Sequence, residues 1–344
     1  MKSFLDYFIK YFLIGIIFYV AAAASNLGFY QKWSQHEYES TRYSINQMLD
    51  GSAHRPFVYR RLVPTIANLM GDHISLPVQA KLTQFYSVID RHFKYKLVYA
   101  LSFLGAFLSL WALREVLQTQ KFSAAASLLA PIIFILILPY LQTIGGYYYD
   151  SWELFFLSLS IILAIRGRWI FLLFVAAFAT FNKESYLFFT PCIWPFLRQS
   201  MSVKKSVLVI MAMAFIAGLI NLYIKHQYSA NPGGIFEFHL FTNMQVYSNL
   251  ITYFKSEFTY GLIGPSGPNL ISLLFIAFLF FKGWNHLSQV MRQHALICAS
   301  INLPLFFVLG GEGELRGLGF MYVTMTVLIA TIFSHVSLIK KDFA

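Results

Sequence analysis

The chain has 344 residues, of which 58% are hydrophobic and only 12% charged. A water-soluble domain of that length has too little interior to hide so much apolar surface, which excludes a soluble enzyme and points to a helical membrane protein. The net charge of +11 reads as membrane anchoring: Lys and Arg flank apolar runs, and with no basic stretch carrying interleaved aromatics, nucleic acid is not expected as a partner.

Apolar runs at 8–28, 97–117, 123–142, 151–165, 168–182, 185–198, 205–226, 268–284, 294–311 and 317–338 predict an all-α transmembrane bundle of about ten spans, one integral-membrane domain covering 1–344. At the start, Lys2, Lys10 and "VAAAASN" (20–26) have the ingredients of a signal peptide. The run from Tyr11 to Phe29 is nearly long enough to span, however, and Asp6 interrupts the basic leader, so an uncleaved first helix is expected. The sixth run carries Pro191 and Pro195 and reads as a kinked or half-membrane helix. Cys192 and Cys298 lie in apolar stretches, with neither disulfide nor metal spacing.

Counting Lys and Arg in the short connections places both termini in the cytoplasm. Two long connections, 29–96 and 227–267, then become the extracytoplasmic loops. In the first, residues 38–50 predict an amphipathic helix with Tyr43, Met48 and Leu49 turned to the bilayer. A second helix is expected from Pro64, with Ile66, Leu69 and Met70 at helical spacing, and a third over 77–93. In the later loop, Leu240, Phe241, Met244, Tyr247, Leu250, Ile251 and Phe254 predict an interfacial helix over 239–255.

On this topology Asp6, Glu115 and Asp342 lie inside and the other twelve acids outside. Four stretches carry charge to that outer side: "HEYESTRYSINQMLDGSAHRPFVYRRLVPTI" (36–66), "YYYDSWE" (147–153), "FNKESY" (181–186) and "GGEGELRG" (310–317). A single charge at a helix mouth is ordinarily solvated. Short connections with opposite charges side by side, as in "FNKESY" and "GGEGELRG", argue instead for a polar site, because ionisable groups among spans are costly and are kept mainly for ligands or relays.

Asp150 and Glu153 share a helix face at a spacing of three residues. They are expected to bind hydroxyls of an acceptor, or a divalent cation if one is used; a pair of acids favoured by the helix dipole is the structural alternative. Lys183, Arg316 and one of Arg55, Arg60 or Arg61 are expected to receive a phosphate, with Glu184, Glu312 and Glu314 orienting these cations or touching sugar. The chain has no GxSxG, HExxH, CxxC or glycine-rich phosphate loop, so no metal centre is assigned. What remains suits a transferase in which a carboxylate deprotonates a sugar hydroxyl and cations hold a phosphate leaving group.

The stretch "EYESTRYSINQMLDG", with Glu37, Glu39, Arg42, Tyr43, Met48, Leu49 and Gly51, follows the first span. This layout resembles the GT-C superfamily of integral-membrane glycosyltransferases, which use polyprenyl-phosphate sugars. "RPFVYRRLVP" is also similar to a stretch in bacterial membrane proteins of GT-C type. The resemblance implies a catalytic acid in the first extracytoplasmic loop, with Glu39 at the first position of the family's acidic pair and Glu37 its neighbour. Here the acids are Glu rather than Asp, and Ser40 stands where a second acid is frequent, so the choice between Glu37 and Glu39 stays open. The implied partners are a polyprenyl-phosphate-linked sugar, a glycan or glycolipid acceptor and membrane lipids. The implied setting is envelope polysaccharide biosynthesis, in a bacterial inner membrane with the site facing the periplasm.

Three other readings compete. A flippase or transporter of lipid-linked saccharides would place charge near the bilayer middle and show an internal repeat. A membrane acyltransferase would want a buried helical histidine, for which only His335 comes close. The third is a non-catalytic subunit of an envelope assembly.

Overall fold

The computed structural model describes residues 2–37, 42–85, 92–142, 148–311 and 313–342. In chain order the helices are α1 (Lys2–Glu37), α2 (Ile45–Asp50), α3 (Leu62–His73), α4 (Leu76–Phe85), α5 (Phe93–Thr119), α6 (Ala124–Leu141), α7 (Tyr148–Ile165), α8 (Trp169–Asn182), α9 (Tyr186–Phe189), α10 (Trp194–Ser200), α11 (Val203–Gln227), α12 (Leu240–Ser248), α13 (Leu270–Gly283), α14 (Gln289–Leu309) and α15 (Tyr322–Asp342). Between α12 and α13 lies a hairpin of β1 (Ser256–Thr259) and β2 (Leu262–Pro265), paired antiparallel with Ser256 opposite Pro265.

Seven segments are long and apolar enough to cross a membrane: Phe8–Gly28, Phe93–Thr119, Ala124–Leu141, Tyr148–Ile165, Val203–Gln227, Gln289–Leu309 and Leu315–His335. The other three apolar runs are helical but shorter. Trp169–Asn182 and Leu270–His286 fall below that length. The sixth run is broken as its prolines require, since Pro cannot complete the helical ladder: α9, a 3-10 turn over Thr190–Ile193, then α10.

Helix starts follow side chains able to cap them. Ser123, Ser202 and Ser288 accept hydrogen bonds from the backbone N–H groups of Ala126, Lys205 and Met291 at 3.2, 3.4 and 3.3 Å, opening α6, α11 and α14. These caps mark the tight turns at one end of the bundle. Ser200 Oγ donating to the Ala164 carbonyl and the Arg166–Glu115 ion pair join those turns.

α7 and α15 are the buried centre, while α1, α11 and α14 turn much of their apolar surface outward. α7 packs along α5 through small residues. A Cβ on Gly105 would lie 2.9 Å from Cδ1 of Trp152, so only glycine lets the two helices come this close. Trp152 Nε1 donates to the Leu101 carbonyl at 2.9 Å, and Ser109 Oγ donates to the Ser151 carbonyl at 2.9 Å. Each such inter-helix bond contributes about 0.6 kcal/mol among spans.

The connection from α1 to α5 departs from expectation in three ways. The helix expected over 38–50 is described only as α2, capped by Ser44, and residues 38–41 lie outside the described residues. Met48 and Leu49, expected to face the bilayer, are instead buried, with Met48 Sδ accepting from the Tyr148 hydroxyl at 3.0 Å. The second helix starts at Leu62, two residues ahead of Pro64; its first ladder bond runs from the Thr65 N–H to the Arg61 carbonyl at 2.9 Å, so the N–H that Pro64 lacks is one the first turn leaves without a partner. Leu69 and Met70 of that helix are exposed, as an interfacial helix requires. The third, expected over 77–93, is described as α4 (Leu76–Phe85); residues 86–91 lie outside the described residues, and Phe93 already opens α5.

In the later connection, the helix expected over 239–255 splits at Asn249 into α12 and a 3-10 turn over Leu250–Phe254, because the Asn249 side chain caps the second piece through the Ile251 N–H. The β1–β2 hairpin has no counterpart in the sequence reading.

One histidine corrects a further expectation. His294 is a buried helical histidine, and its Nδ1 donates to the Cys192 carbonyl at 2.7 Å. The bond ties α14 to the broken α9–α10 segment, where a proline-interrupted ladder leaves carbonyls in need of donors. His335 is instead exposed and its ring lies tilted against that of His286, with centroids 4.3 Å apart. Cys192 and Cys298 are free thiols buried in the same region.

Candidate functional site

The charged stretches converge at the end of the bundle opposite the serine caps. Three local devices bring them there. Asn182 Nδ2 donates to the Tyr149 carbonyl at 2.9 Å and fixes the turn after α8 against the start of α7. The Arg61–Phe181 backbone bond holds the first long connection to that turn. Asn302 of α14 donates to the Gly317 carbonyl at 2.7 Å and accepts from the Phe320 N–H at 3.2 Å, pinning the 3-10 turn over Leu315–Met321. Glycine is needed in that turn: a Cβ on Gly317 would lie 2.8 Å from the Phe306 ring, and one on Gly319 would lie 3.2 Å from Oε2 of Glu153.

The side chains so placed form one ionic cluster. Lys183 Nζ donates to Asp150 Oδ1 at 3.0 Å and to Glu153 Oε2 at 2.5 Å, while Ser185 Oγ donates to the other Glu153 oxygen at 3.0 Å. Arg316 Nη1 lies 3.5 Å from Asp150 Oδ2, and its Nε and Nη2 donate to Glu314 Oε2 at 3.1 and 2.5 Å. Arg60 donates to both oxygens of Glu184, at 3.0 and 3.4 Å.

Tyr149 stands at the centre. Its hydroxyl oxygen accepts from Arg60 Nη1 at 2.6 Å and from Arg316 Nη1 at 3.4 Å. The Arg60 guanidinium and the Lys183 ammonium also lie over its ring, 4.7 and 5.5 Å from the centroid. Cations over an aromatic face gain electrostatic attraction, more so when desolvated. Three cations from three separate connections are thus organised around one tyrosine.

Charge in this cluster is fixed by pairing against burial. Burial works against the charged form of Lys183, but Asp150 and Glu153 beside it outweigh that and hold its ammonium above the ordinary lysine value. Burial likewise opposes ionisation of Glu184, and the Arg60 guanidinium overcomes it, holding the carboxyl below the ordinary glutamate value. For Arg60 burial is again opposed by Glu184, with the net shift upward. Arg60, Lys183 and Glu184 are therefore held in their charged forms.

Beside it lies a cavity of about 700 Å³, within the usual range for ligand pockets. One wall is ionic: Arg60, Glu153, Lys183, Glu184, Glu314 and Arg316. Another is apolar: Phe188, Leu305, Phe306 and Leu309. The first long connection adds Tyr43, Pro56 and Phe57, and the later one adds Glu237, His239, Val246, Thr252 and Lys255. Arg42 of the first connection pairs with Glu237 of the second, joining the two at this cavity.

The expected site residues sort as follows. Glu153, Lys183, Glu184, Glu314, Arg316 and Arg60 line the cavity. Asp150 is buried behind them as counter-ion to Lys183 and Arg316. Of the three arginines, Arg60 alone lines the cavity. Arg61 is buried, donating to the Met48 carbonyl and lying over the Tyr228 ring, and the backbone N–H of Arg55 donates to the Pro232 carbonyl at 2.8 Å. Glu39 and Glu312 lie outside the described residues, and Glu37 is the last residue of α1. The slot between Asp150 and Glu153 that a divalent cation would need holds the Lys183 ammonium, and no group of three His, Cys, Asp or Glu side chains among the described residues is arranged to hold a metal. Sequence reasoning missed Tyr149, Ser185, Lys225 and Lys255. Tyr149 had a signal in its position beside Asp150; the lysines had none.

Fold and site together define a mainly helical membrane protein with a charged, half-apolar cavity at one end of its bundle. No protein-family model matches the chain, no curated protein matches it, and no solved structure matches it.

Proposed function

We propose that the chain is a membrane glycosyltransferase of GT-C type, moving a sugar from a polyprenyl-phosphate donor to an envelope glycan or glycolipid. The observation that carries the reading is the joining of three cations, Arg60, Lys183 and Arg316, to an apolar wall in one cavity. A phosphate needs the first and a hydrocarbon chain the second. In this reading the acceptor hydroxyl loses its proton to a carboxylate and its oxygen forms the new bond to the sugar's anomeric carbon. The bond from that carbon to the phosphate oxygen breaks, and the cations take up the charge that develops on the departing polyprenyl phosphate. The base is Glu39 or Glu37, three and five residues ahead of Arg42, whose neighbour Tyr43 lines the cavity.

The site residues all sit at the ends of elements, in the turns before α3, α9 and α15 and at the start of α7. That placement favours an enzyme working at one membrane surface over a transporter, which would hold charge near the bilayer middle. Ten crossings with both termini in the cytoplasm would open the cavity to the periplasm of a bacterial inner membrane.

The test is transfer of labelled sugar from a polyprenyl-phosphate donor by membranes carrying the chain, compared with Glu39→Gln and Glu37→Gln at equal abundance. Loss in one of the two variants supports the reading and chooses the base. Full transfer in both removes the carboxylate-base mechanism.

A further inference from the structure

Every cation of the ionic wall already has a carboxylate: Arg60 has Glu184, Lys183 has Asp150 and Glu153, and Arg316 has Glu314 and Asp150. Two further lysines line the same cavity, Lys225 in the last turn of α11 and Lys255 after the 3-10 turn of the later connection. Neither pairs with an acid among the described residues. They are the cations an incoming anion meets without first displacing a carboxylate.

The rim of the cavity has an unusual composition. The described lining residues that are also exposed at the surface are Phe188, Ile235, Phe236 and Lys255. The three apolar ones are 45%, 55% and 61% exposed. A mouth for a sugar or nucleotide arriving from water would be rimmed by polar groups. Large apolar side chains at the opening are suited to a hydrocarbon chain. The outer surface of α11 beside this mouth is apolar as well, with Leu219, Leu222 and Tyr223 exposed.

We propose that the cavity fills sideways from the bilayer: an amphiphile with a phosphate head enters past Phe188, Ile235 and Phe236, and Lys225 and Lys255 capture its head before it reaches the paired cations. This rests on the reading of the cavity as a phosphate site, and adds the route and the two capturing residues. The competing role for these lysines is ordinary: a cation at a helix end, or an anchor in the headgroup layer. Such an anchor would be indifferent to the ligand.

The test is binding of farnesyl phosphate, and separately of inorganic phosphate, to the purified chain in detergent at several salt concentrations. The variants are Lys225→Gln, Lys255→Gln, Ile235→Ser and Phe236→Ser, with Lys204→Gln at the opposite end of α11 as control and melting temperature recorded for each. The proposal expects each capturing-lysine variant to weaken farnesyl phosphate roughly tenfold, as loss of one charge-assisted bond would, and to flatten the salt dependence, with Lys204→Gln unchanged. It expects Ile235→Ser and Phe236→Ser to weaken farnesyl phosphate while sparing inorganic phosphate. Wild-type affinity in both lysine variants would overturn the inference and leave the phosphate reading standing. Equal loss of both probes in the rim variants would overturn entry from the bilayer. Failure of the wild type and all variants to bind either probe would overturn the phosphate reading itself.

Discussion

The ammonium of Lys183 lies 2.5 Å from Oε2 of Glu153, and through that contact the turn after α8 is fastened to the buried start of α7. Both side chains are largely shielded, so water does little to replace either partner. Replacing Lys183 by Met leaves Ser185 as the hydrogen-bond partner that Glu153 keeps among the described residues. The loss expected is about 3 kcal/mol, as for other half-broken buried pairs. Lys183→Met combined with Glu153→Gln is expected to recover part of it, because no uncompensated charge remains. Melting temperatures of the single and double variants in one detergent check this; a double variant as unstable as the sum of the singles would show that the two do not interact.

The pairing also sets a pH window. Glu184 is held below the ordinary 4.5 by Arg60, so its contribution to stability is present above that value and is lost as pH falls through the lowered one. Lys183 is held above the ordinary 10.5 by Asp150 and Glu153, so its contribution is present below that value and is lost as pH rises through the raised one. The part of the melting temperature that Glu184→Gln removes is therefore expected to be constant between those limits and to shrink only on the acid side. A difference that titrates near neutrality would contradict the pairing.

Arg60 and Arg61 are adjacent in sequence and opposite in role. Arg60 lines the cavity; Arg61 is buried and donates to the Met48 carbonyl. Arg61→Met is expected to lower the melting temperature, with a loss of roughly 2 kcal/mol from an unsatisfied carbonyl. Arg60→Met is expected to weaken anion binding more than Arg61→Met does, when both are compared at a temperature where each is folded.

Two glycines give a packing test that involves no charge. Gly105→Ala puts a methyl 2.9 Å from the Trp152 ring, whereas at Gly218 nothing lies within 4 Å of an added Cβ. The first is expected to destabilise by about 1–3 kcal/mol through overpacking. The second is expected to be neutral or to stabilise by up to about 1 kcal/mol, as alanine favours a helix interior over glycine. Equal melting temperatures would mean that α5 and α7 do not approach as closely as described.

Much of this molecule is written in its apolar runs, because a bilayer allows few alternatives to a helix and serine caps mark several starts. The broken sixth run was legible from Pro191 and Pro195. The convergence of Asp150, Glu153, Lys183, Glu184, Glu314 and Arg316 was legible as well, since short turns cannot carry charge far. Other features are set by contacts between distant segments, which periodicity does not encode. Met48 looks like a bilayer-facing residue of an amphipathic helix until Tyr148 and Arg61 are seen to bond to it. Tyr149 reads as one interfacial aromatic among three until Arg60 and Arg316 reach it from connections 89 and 167 residues away. The hairpin was hidden because Phe258, Leu262 and Ile263 are apolar on the exposed side too, so the alternation that marks a strand is missing.

The most direct test of the central claim is the rate of sugar transfer from a polyprenyl-phosphate donor by the purified chain in lipid nanodiscs, for wild type and Arg316→Gln. Arg316 touches Tyr149, Asp150 and Glu314 at once and lines the cavity. Measurable turnover by the wild type and about a hundredfold loss in the variant are expected, as when one donor to a developing anion is removed. Unchanged turnover in a folded Arg316→Gln protein, or no turnover by the wild type with any polyprenyl-phosphate sugar, would contradict the claim.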